Sequence, residues 1–294
     1  MSELGPEGCQ PVLLGVIGWP VGHSLSPVMH NAAFRAEGMD CHYVAFAVPP
    51  ADLAAALAGI RALGIHGVNV TIPHKEAVIP LLDEVAPSAR QMGAVNTIAN
   101  REGRLVGYNT DGWGFISSLE EAGVKPAGMR AVVLGAGGAA RAVAVHLALS
   151  GVSRLTISNR TAERAERLAA LVRDLVPGTE AEAVASGSEE EAAVLAEADL
   201  VVNCTPLGMH PDGVDLTPLP RIDLLPPGAV VYDTVYRPRE TRLLREARQR
   251  GLRTISGVGM LVHQGACAWE YWFGRRGPVS VMAEAARRAL EAME

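Results

Sequence analysis

The middle of this 294-residue chain contains a short apolar strand that leads directly into a glycine-rich turn and then an alanine-rich helix. The strand covers residues 130–134, the turn reads Gly135-Ala136-Gly137-Gly138-Ala139, and the helical pattern continues to about residue 149. In such a unit Gly135 permits a tight turn, Gly137 lets the backbone approach a pyrophosphate, and free N–H groups at the helix start favour anions. The flanking strand and helix favour this interpretation over a merely structural turn, so the segment predicts a Rossmann-type unit that binds a dinucleotide.

The next predicted strand, residues 154–158, indicates which dinucleotide is bound. A carboxylate usually follows this strand and binds the ribose 2′-hydroxyl of NAD, but here the chain continues with Asn159, Arg160, Thr161 and then Arg164. Two guanidiniums without an acid suit a 2′-phosphate, which favours NADP over NAD. The alternative is that Thr161 only caps a helix and that Arg164 lies on an exposed helix face.

Strands also alternate with helices before the glycine-rich turn, which predicts a mostly parallel sheet in an N-terminal α/β domain. Ser26 and Pro27 are typical of the cap and first position of a helix, and Asp111 can cap another helix. We place the domain boundary at residue 112, with a glycine-rich connector at residues 123–128. The predicted fold class is therefore α/β, with an N-terminal α/β domain followed by a doubly wound Rossmann-type domain.

Composition excludes several classes of function. The chain carries 26 Lys and Arg against 32 Asp and Glu, a net charge of −6 without long single-sign blocks, so a nucleic-acid partner is not expected. A charge-free segment, residues 8–34, is interrupted by prolines and histidines and follows no basic residues, so we expect a soluble protein without a membrane span. Four cysteines without a Cys-x-x-Cys pair, and histidines without ligand spacing, favour a reducing cytoplasm and no metal site.

The chain contains only two lysines, Lys75 and Lys125, and its other 24 cationic side chains are arginines. Hydride transfer at an alcohol carbon needs a partner that moves the hydroxyl proton, and the Tyr-x-x-x-Lys pair of short-chain reductases is absent after the cofactor strands. An amine can lose its proton when it is desolvated, whereas a guanidinium effectively cannot. Lys75 is therefore the strongest candidate for the proton carrier, and Asp111 can orient its amine.

Serines and histidines supply the remaining candidate groups. Ser24 and Ser26 flank a helix start, so their hydroxyls and the helix dipole can hold a carboxylate, while simple capping is an equal alternative for Ser26. His23, His74 and His263 lie in motif-like stretches and are alternative proton carriers, although for each one a structural role is the commoner.

Nine short motifs occur in order along nearly the whole chain, at residues 18–34, 69–75, 93–97, 109–112, 135–141, 159–161, 203–209, 233–236 and 257–265. They include Ser24-Leu25-Ser26-Pro27, Asn69-Val70-Thr71-Ile72-Pro73-His74-Lys75 and Asn109-Thr110-Asp111-Gly112. Together these motifs resemble the shikimate dehydrogenase family. The resemblance implies the reversible NADPH-dependent reduction of 3-dehydroshikimate to shikimate, a step toward chorismate and the aromatic amino acids.

The resemblance also implies roles for individual residues. The substrate carboxylate would be bound by Ser24, Ser26 and Tyr236, and the ring hydroxyls by Thr71, Asn96, Asp111 and Gln264. Lys75 matches the general acid and base, paired with Asp111. The positions that match the cofactor site are Gly135, Ala136, Gly137, Gly138 and Ala139 at the pyrophosphate, Asn159, Arg160, Thr161 and Arg164 at the adenosine phosphate, and Thr205, Thr234 and Gly257 at the nicotinamide.

The family's last helices, here residues 258–294, return to complete the first domain. The resemblance therefore implies a substrate-binding domain of residues 1–112 plus 258–294 and an NADP-binding domain of residues 113–257. Two departures are small: residues 1–11 precede the family's usual start, and Thr234 occupies a position that is more often aliphatic. We expect shikimate and 3-dehydroshikimate as the small-molecule partners of a monomer or homodimer.

Two alternative functions remain at this point. An NAD-dependent quinate or quinate/shikimate dehydrogenase would share the fold and the Lys75–Asp111 pair, but Arg160 and Arg164 argue against NAD. A catalytically silent NADPH-binding sensor would be expected to have lost Lys75 or Asp111, and this chain keeps both.

Overall fold

The computed structural model describes residues 11–210 and 213–293. Six strands form its first sheet: β1 (Val12–Gly18), β2 (Cys41–Ala47), β3 (Gly67–Val70), β4 (Glu84–Val85), β5 (Thr97–Arg101) and β6 (Arg104–Tyr108). The strand order is β2-β1-β3-β5-β6-β4, with β1 parallel to β2 and β3, and β4 parallel to β6. Strand β5 runs antiparallel to both of its neighbours, and its two-residue connection to β6 is too short for the crossover that a parallel pair would need. Three of the five pairings are parallel, so the sheet is mixed and only mostly parallel.

Five helices accompany this sheet: α1 (Ser26–Ala36), α2 (Leu53–Ala62), α3 (His74–Ala77), α4 (Pro87–Met92) and α5 (Asp111–Glu121). The predicted capping roles of Ser26 and Asp111 are wrong, because each is the first residue of its helix rather than the cap before it. The N–H of Ser26 is instead bound by the hydroxyl of Ser24 at 3.2 Å. The Asp111 carboxylate binds the Lys75 side chain and not the helix N–H groups, since a charged partner is the stronger donor.

The second sheet also has six strands: β7 (Arg130–Leu134), β8 (Arg154–Asn159), β9 (Ala181–Ala185), β10 (Leu200–Asn203), β11 (Val230–Asp233) and β12 (Arg253–Ser256). Their order is β12-β11-β10-β7-β8-β9, and every pairing is parallel. Four helices accompany this sheet: α6 (Gly138–Leu149), α7 (Ala162–Leu175), α8 (Glu189–Leu195) and α9 (Arg242–Gln249). The chain changes direction across the sheet between β7 and β10, which in doubly wound sheets opens a ligand crevice at the carboxyl ends of the strands. The predicted α/β class with a Rossmann-type sheet is confirmed.

Two helices at the end of the chain pack against helices of the first sheet. Helix α10 (Val258–Phe273) lies along α5, and α11 (Val279–Glu291) lies along α1. Their apolar side chains join the core formed by β1, β2 and α1. Two indole N–H groups of α10 anchor it further: Trp272 donates to the carbonyl oxygen of Ile98 at 3.0 Å, and Trp269 to His30 Nδ1 at 2.9 Å.

The domain division into residues 1–112 with 258–294 and residues 113–257 stays a prediction. Its first ten residues, which include Cys9, lie outside the described part of the chain. Within the described part, none of the helices is both long enough and apolar enough to cross a lipid bilayer.

Asp233 ends β11, and its buried carboxylate connects three elements of the second sheet. One oxygen accepts the side-chain amide of Asn203, at the end of β10, at 2.8 Å and the N–H of Val235 at 3.0 Å. The other oxygen accepts the hydroxyl of Thr241, the N-cap of α9, at 2.6 Å. Burial raises the pKa of Asp233 to about 6 against the opposing effect of these hydrogen bonds. The carboxylate thus fixes the loops that leave β10 and β11 toward the crevice.

We expect the charge on Asp233 to lower stability as the pH rises. Folding raises the pKa of this carboxyl from 3.8 to about 6, so between these pH values the folded protein keeps a proton that the unfolded chain has lost. The unfolding free energy should therefore fall by about 2 kcal/mol between pH 4 and pH 7 relative to Asp233→Asn, which cannot ionise. Urea unfolding of both proteins at the two pH values measures this difference. A difference between the proteins that does not change with pH would contradict the prediction.

Candidate active site

Lys75 and Asp111 form a largely buried ion pair beside the first sheet. Lys75 Nζ lies 2.6 Å from Asp111 Oδ2, and the two side chains are 16% and 6% exposed. Lys75 lies in α3, shortly after β3, whereas Asp111 begins α5, so segments 36 residues apart in sequence converge here. A partly exposed amine with a carboxylate partner can hold, give or take a proton.

Asn96 holds the second oxygen of Asp111, to which its Nδ2 donates at 2.8 Å. Asn96 Oδ1 accepts the backbone N–H of Thr110 at 2.8 Å, which fixes the orientation of the amide. Gln264 of α10 places its side-chain oxygen 3.3 Å from Asn96 Nδ2. The structure therefore brings together three of the residues predicted to bind ring hydroxyls, and Thr71 directly follows β3 four residues before Lys75.

The three residues predicted to bind a carboxylate come from both halves of the chain. Ser24 and Ser26 stand at the start of α1, whereas Tyr236 follows β11 of the second sheet. Tyr236 packs against the core formed by β1, β2 and α1. Burial raises the pKa of the Tyr236 hydroxyl, and the neighbouring Ser24 side chain opposes that shift. The phenol stays protonated at neutral pH and can donate a hydrogen bond to an anion.

The predicted pyrophosphate turn lies directly beside Lys75. Gly135 has φ +105°, a left-handed conformation that side chains rarely adopt, and its N–H donates to the carbonyl oxygen of Ser158 at 2.7 Å. Gly137 is the N-cap of α6 and offers the helix start no side-chain hydrogen bond. A Cβ added to Gly137 would meet nothing within 4 Å, whereas one added to Gly138 would lie 3.5 Å from the Cβ of Lys75. The open cradle at a helix N-terminus, which continues through Ala136 and Ala139, fits a pyrophosphate.

The predicted phosphate-binding residues follow β8. Asn159 Nδ2 donates to the carbonyl oxygen of Thr161 at 3.0 Å, and this bond shapes the turn into α7. Thr161 is the N-cap residue of α7, as the alternative interpretation expects, although its side chain makes no capping hydrogen bond. Arg160 and Arg164 are exposed, and neither forms an ion pair within the described residues. Two free guanidiniums at this position suit a 2′-phosphate.

Three residues predicted on the nicotinamide side lie at the carboxyl ends of the second sheet's strands. The hydroxyl of Thr205 donates to Asn203 Oδ1 at 2.7 Å, and a Cβ added to Gly135 would lie 3.1 Å from Thr205 Cγ2. The N–H of Thr234 donates to the carbonyl oxygen of Asn203 at 3.0 Å. A side chain at Gly257 would collide with the carbonyl oxygen of Thr234, which explains the glycine there.

The three alternative proton carriers have different surroundings. His74 is buried, and its Nε2 lies 2.7 Å from the carbonyl oxygen of Val48, which gives it a structural role. His263 Nε2 bonds to Glu121 at 2.9 Å on α5, away from the Lys75 amine. His23 adjoins Ser24 and is half-buried, and burial followed by the charge of Arg237 lowers its pKa. Of the three histidines, only His23 lies next to a predicted substrate residue.

Sequence reasoning missed several residues that hold the site together. Asn69, Thr110 and Asn203 lie inside motifs that were identified, but a motif does not reveal which atoms meet across the fold. Arg141 Nη2 lies 3.5 Å from Glu76 Oε2, so α6 is linked to the residue that follows Lys75. The pattern of the glycine-rich turn gave no signal for this contact.

The cysteines of the described residues, Cys41, Cys204 and Cys267, are all free. Burial raises the pKa of the Cys41 and Cys267 thiols to about 11, so neither is an activated nucleophile at neutral pH. Among the residues that the structure describes, no group of three or more His, Cys, Asp or Glu side chains is arranged to hold a metal ion.

Three family models match successive parts of the chain. Residues 16–98 match the shikimate dehydrogenase substrate binding domain, residues 119–208 match shikimate / quinate 5-dehydrogenase, and residues 257–287 match the shikimate 5′-dehydrogenase C-terminal domain. Together these matches cover most of the first sheet, strands β7 to β10 of the second sheet and most of the two returning helices.

Individual relatives agree with the family models. The chain is 69% identical over 280 residues to shikimate dehydrogenase (NADP(+)) of Symbiobacterium thermophilum, with 95% of each chain covered. A crystal structure of shikimate 5-dehydrogenase from Thermus thermophilus, in complex with NADP(H) and shikimate, is 42% identical with a TM-score of 0.85 and covers 95% of this chain and 100% of that one. Quinate dehydrogenase from Corynebacterium glutamicum, in complex with NAD, is 37% identical with a TM-score of 0.83, over 94% and 99% of the two chains. With its motifs, its two sheets and these relatives, the chain belongs to the family of NADP-dependent shikimate dehydrogenases.

Proposed function

We propose that the protein interconverts 3-dehydroshikimate and shikimate with NADP(H), and that Lys75 and Asp111 carry the proton transfer. The chain is thus an oxidoreductase that acts on a CH–OH group. The observation that carries the proposal is the 2.6 Å pair of Lys75 and Asp111, which lies beside the glycine-rich start of α6, where a Cβ added at Gly138 would touch the same lysine. A proton carrier and a dinucleotide cradle meet at one point between the two sheets.

Lys75 moves the proton. When it is bound, the nicotinamide cofactor supplies or accepts the hydride. In the direction of reduction, the Lys75 ammonium gives a proton to the ketone oxygen and is left as a neutral amine. In the direction of oxidation, the neutral amine takes the proton of the hydroxyl group. Asp111 holds the amine at 2.6 Å and so fixes its position beside the reacting oxygen of the substrate.

The remaining polar residues position the substrate. Asp111, Asn96 and Gln264 face one region beside Lys75, where they can accept and donate hydrogen bonds to neighbouring ring hydroxyls together with Thr71. Ser24, Ser26 and Tyr236 bind the carboxylate through hydroxyl groups rather than a cation. Because the substrate is held at two ends, its reacting carbon is oriented toward the start of α6.

The cofactor site fits NADP better than NAD. Gly135 through Ala139 leave an open cradle at a helix N-terminus, and Asn159 stands where NAD-dependent enzymes usually carry an acid. Arg160 and Arg164 supply charge for the 2′-phosphate. Thr205, Thr234 and Gly257 line the nicotinamide side, where the hydroxyl of Thr234 replaces the more usual aliphatic contact.

Two alternatives are less well supported. A quinate dehydrogenase with NAD is among the similar solved structures, but the free guanidiniums after β8 argue against NAD as the preferred cofactor. A silent sensor would have no need for a largely buried lysine that is paired with a carboxylate beside the glycine-rich turn. We also infer a cytoplasmic enzyme, and a monomer or homodimer suffices because one chain supplies every residue assigned to the site.

Replacing Lys75 with methionine should lower kcat by about 100-fold or more, because general acid–base groups typically contribute that much. Methionine has a similar length but carries no proton, so KM for shikimate should stay within a few-fold. The absorbance of NADPH, followed with shikimate and NADP, measures both constants. The control is Lys125→Met, which removes the exposed second lysine in the connector before β7 and should leave kcat unchanged. A Lys75→Met enzyme with near-normal kcat would remove this lysine from the mechanism.

The wild-type enzyme should prefer NADP over NAD by at least about tenfold in kcat/KM, or about 1.4 kcal/mol. The double variant Arg160→Ala/Arg164→Ala should lose most of this preference through a higher KM for NADP, with little change for NAD. Arg154→Ala, at the opposite end of β8, is the matched control and should keep the wild-type ratio. Equal kcat/KM for the two cofactors in the wild type would be evidence against the assigned phosphate site.

A further inference from the structure

A chain of buried hydrogen bonds lies behind the active site and includes two residues with no assigned role. The hydroxyl of Tyr43, on β2, donates to Asn69 Oδ1 on β3 at 2.7 Å. Asn69 Nδ2 donates in turn to the carbonyl oxygen of Asn96 at 3.1 Å and to Thr97 Oγ1 at 3.0 Å. The route therefore begins on the edge strand of the first sheet and reaches Asn96, the residue that holds Asp111.

The chemistry of the partners fixes the direction of every bond in this chain. The carbonyl oxygen of Asn96 can only accept, so the NH₂ group of Asn69 must face it and Oδ1 must face Tyr43. The Thr97 hydroxyl accepts from Asn69 and donates to Asn96 Oδ1 at 3.0 Å. The backbone N–H of Thr110 also donates to Asn96 Oδ1, so the NH₂ group of Asn96 faces Asp111. All donors point the same way, from the phenol toward the carboxylate.

An aligned chain of this kind strengthens its last bond. A group that accepts one hydrogen bond becomes a stronger donor in the next bond, and this effect accumulates along the chain. The final acceptor is the Asp111 carboxylate, for which charge-assisted bonds are the strongest type available. The other carboxylate oxygen holds Lys75 Nζ at 2.6 Å, so the orientation of Asp111 sets the position of the amine.

Tyr43 is well suited to anchor the start of the chain. Its backbone N–H and carbonyl oxygen both bond to the side chain of Asn31, each at 2.8 Å. Its ring stacks on the imidazole of His30 at a centroid distance of 4.3 Å. Burial raises the pKa of its hydroxyl well above the ordinary value, so the phenol stays a donor throughout the working pH range. Both the position and the protonation state of this donor are therefore fixed.

We propose that Tyr43 and Asn69 are positioning residues for the reaction, which hold Asp111 and through it Lys75 in the reactive geometry by way of Thr97 and Asn96. The inference rests on the proposed function, because it assigns these residues to the same proton transfer. A purely structural role would have a different consequence. It would lower the stability of the fold but leave the kinetics of the folded enzyme unchanged.

Tyr43→Phe removes only the hydroxyl at the start of the chain. We expect kcat/KM for shikimate to fall by about tenfold, with KM for NADP within twofold of the wild-type value, because the second sheet takes no part in the chain. Rates are expressed per NADPH-binding site, titrated by the change in NADPH fluorescence, so that unfolded protein does not count. The matched control is Tyr232→Phe, which removes another buried tyrosine hydroxyl. Tyr232 lies on β11 of the second sheet, and its hydroxyl is 2.7 Å from the Ser118 hydroxyl on α5. This variant should keep the wild-type kcat/KM.

A second variant, Thr97→Val, interrupts the same chain at its middle and tests whether the two residues act together. If both act through Asn96, the double variant Tyr43→Phe/Thr97→Val should be no more than about twofold worse than the more damaging single variant. Effects on kcat/KM that multiply in the double variant, or a Tyr43→Phe enzyme equal to Tyr232→Phe, would overturn the inference. Wild-type protein that binds NADP but does not oxidise shikimate would instead overturn the proposed function, and this inference with it.

Discussion

The proposed active site depends on keeping two opposite charges, those of Lys75 and Asp111, together in a largely buried position. Removing such a pair from water is costly, and mutual attraction offsets the cost only when the remaining polar atoms are hydrogen-bonded. Asn96 satisfies the second carboxylate oxygen, and Thr110 fixes the Asn96 amide. Much of the polar interior of the first sheet therefore serves to hold the carboxylate of Asp111. The proton transfer assigned to Lys75 depends on this carboxylate, because it positions the amine.

The same position is where the two sheets meet, and small residues make this possible. Gly112, beside Asp111, leaves room for the imidazole of His146 on α6, which a larger side chain would displace. Gly114, two residues further along α5, lets α10 approach closely enough to bring in Gln264. Helices α6 and α10 thus both pack against α5, and residues far apart in sequence reach the same ion pair. The site is therefore assembled by the close packing of α6 and α10 against α5, rather than by any single hydrogen bond.

Sequence reasoning was most informative where the signal was local. The strand, glycine-rich turn and helix around Gly135 predict a dinucleotide cradle, and the missing acid at Asn159 is visible within the next strand. Lys75 stood out because arginine, the usual cation of this chain, cannot give up a proton. In each case the chemistry follows from residue type and position along one element.

Long-range contacts were beyond that reasoning. Asp111 has the local pattern of a helix cap, but Lys75 lies 36 residues away in sequence and outcompetes the helix N–H groups for its carboxylate. The sequence left two roles open for His74, because the residues next to it do not show that its ring bonds to the carbonyl oxygen of Val48. Tyr43 likewise has the sequence pattern of a buried strand residue, which says nothing about its hydroxyl group. Only the pairing of β1 with both β2 and β3 brings that hydroxyl to Asn69. Periodicity predicts which face of a strand is buried but not which polar atoms meet there.

A crystal structure of the complex with shikimate and NADP tests the central claim most directly, because it measures where the reacting hydroxyl lies. The account predicts Lys75 Nζ within about 3.2 Å of the hydroxyl oxygen on the carbon that faces the nicotinamide, with Asp111 beside it. A complex in which that hydroxyl bonds to another titratable side chain, such as His23, while Lys75 stays out of reach would contradict it.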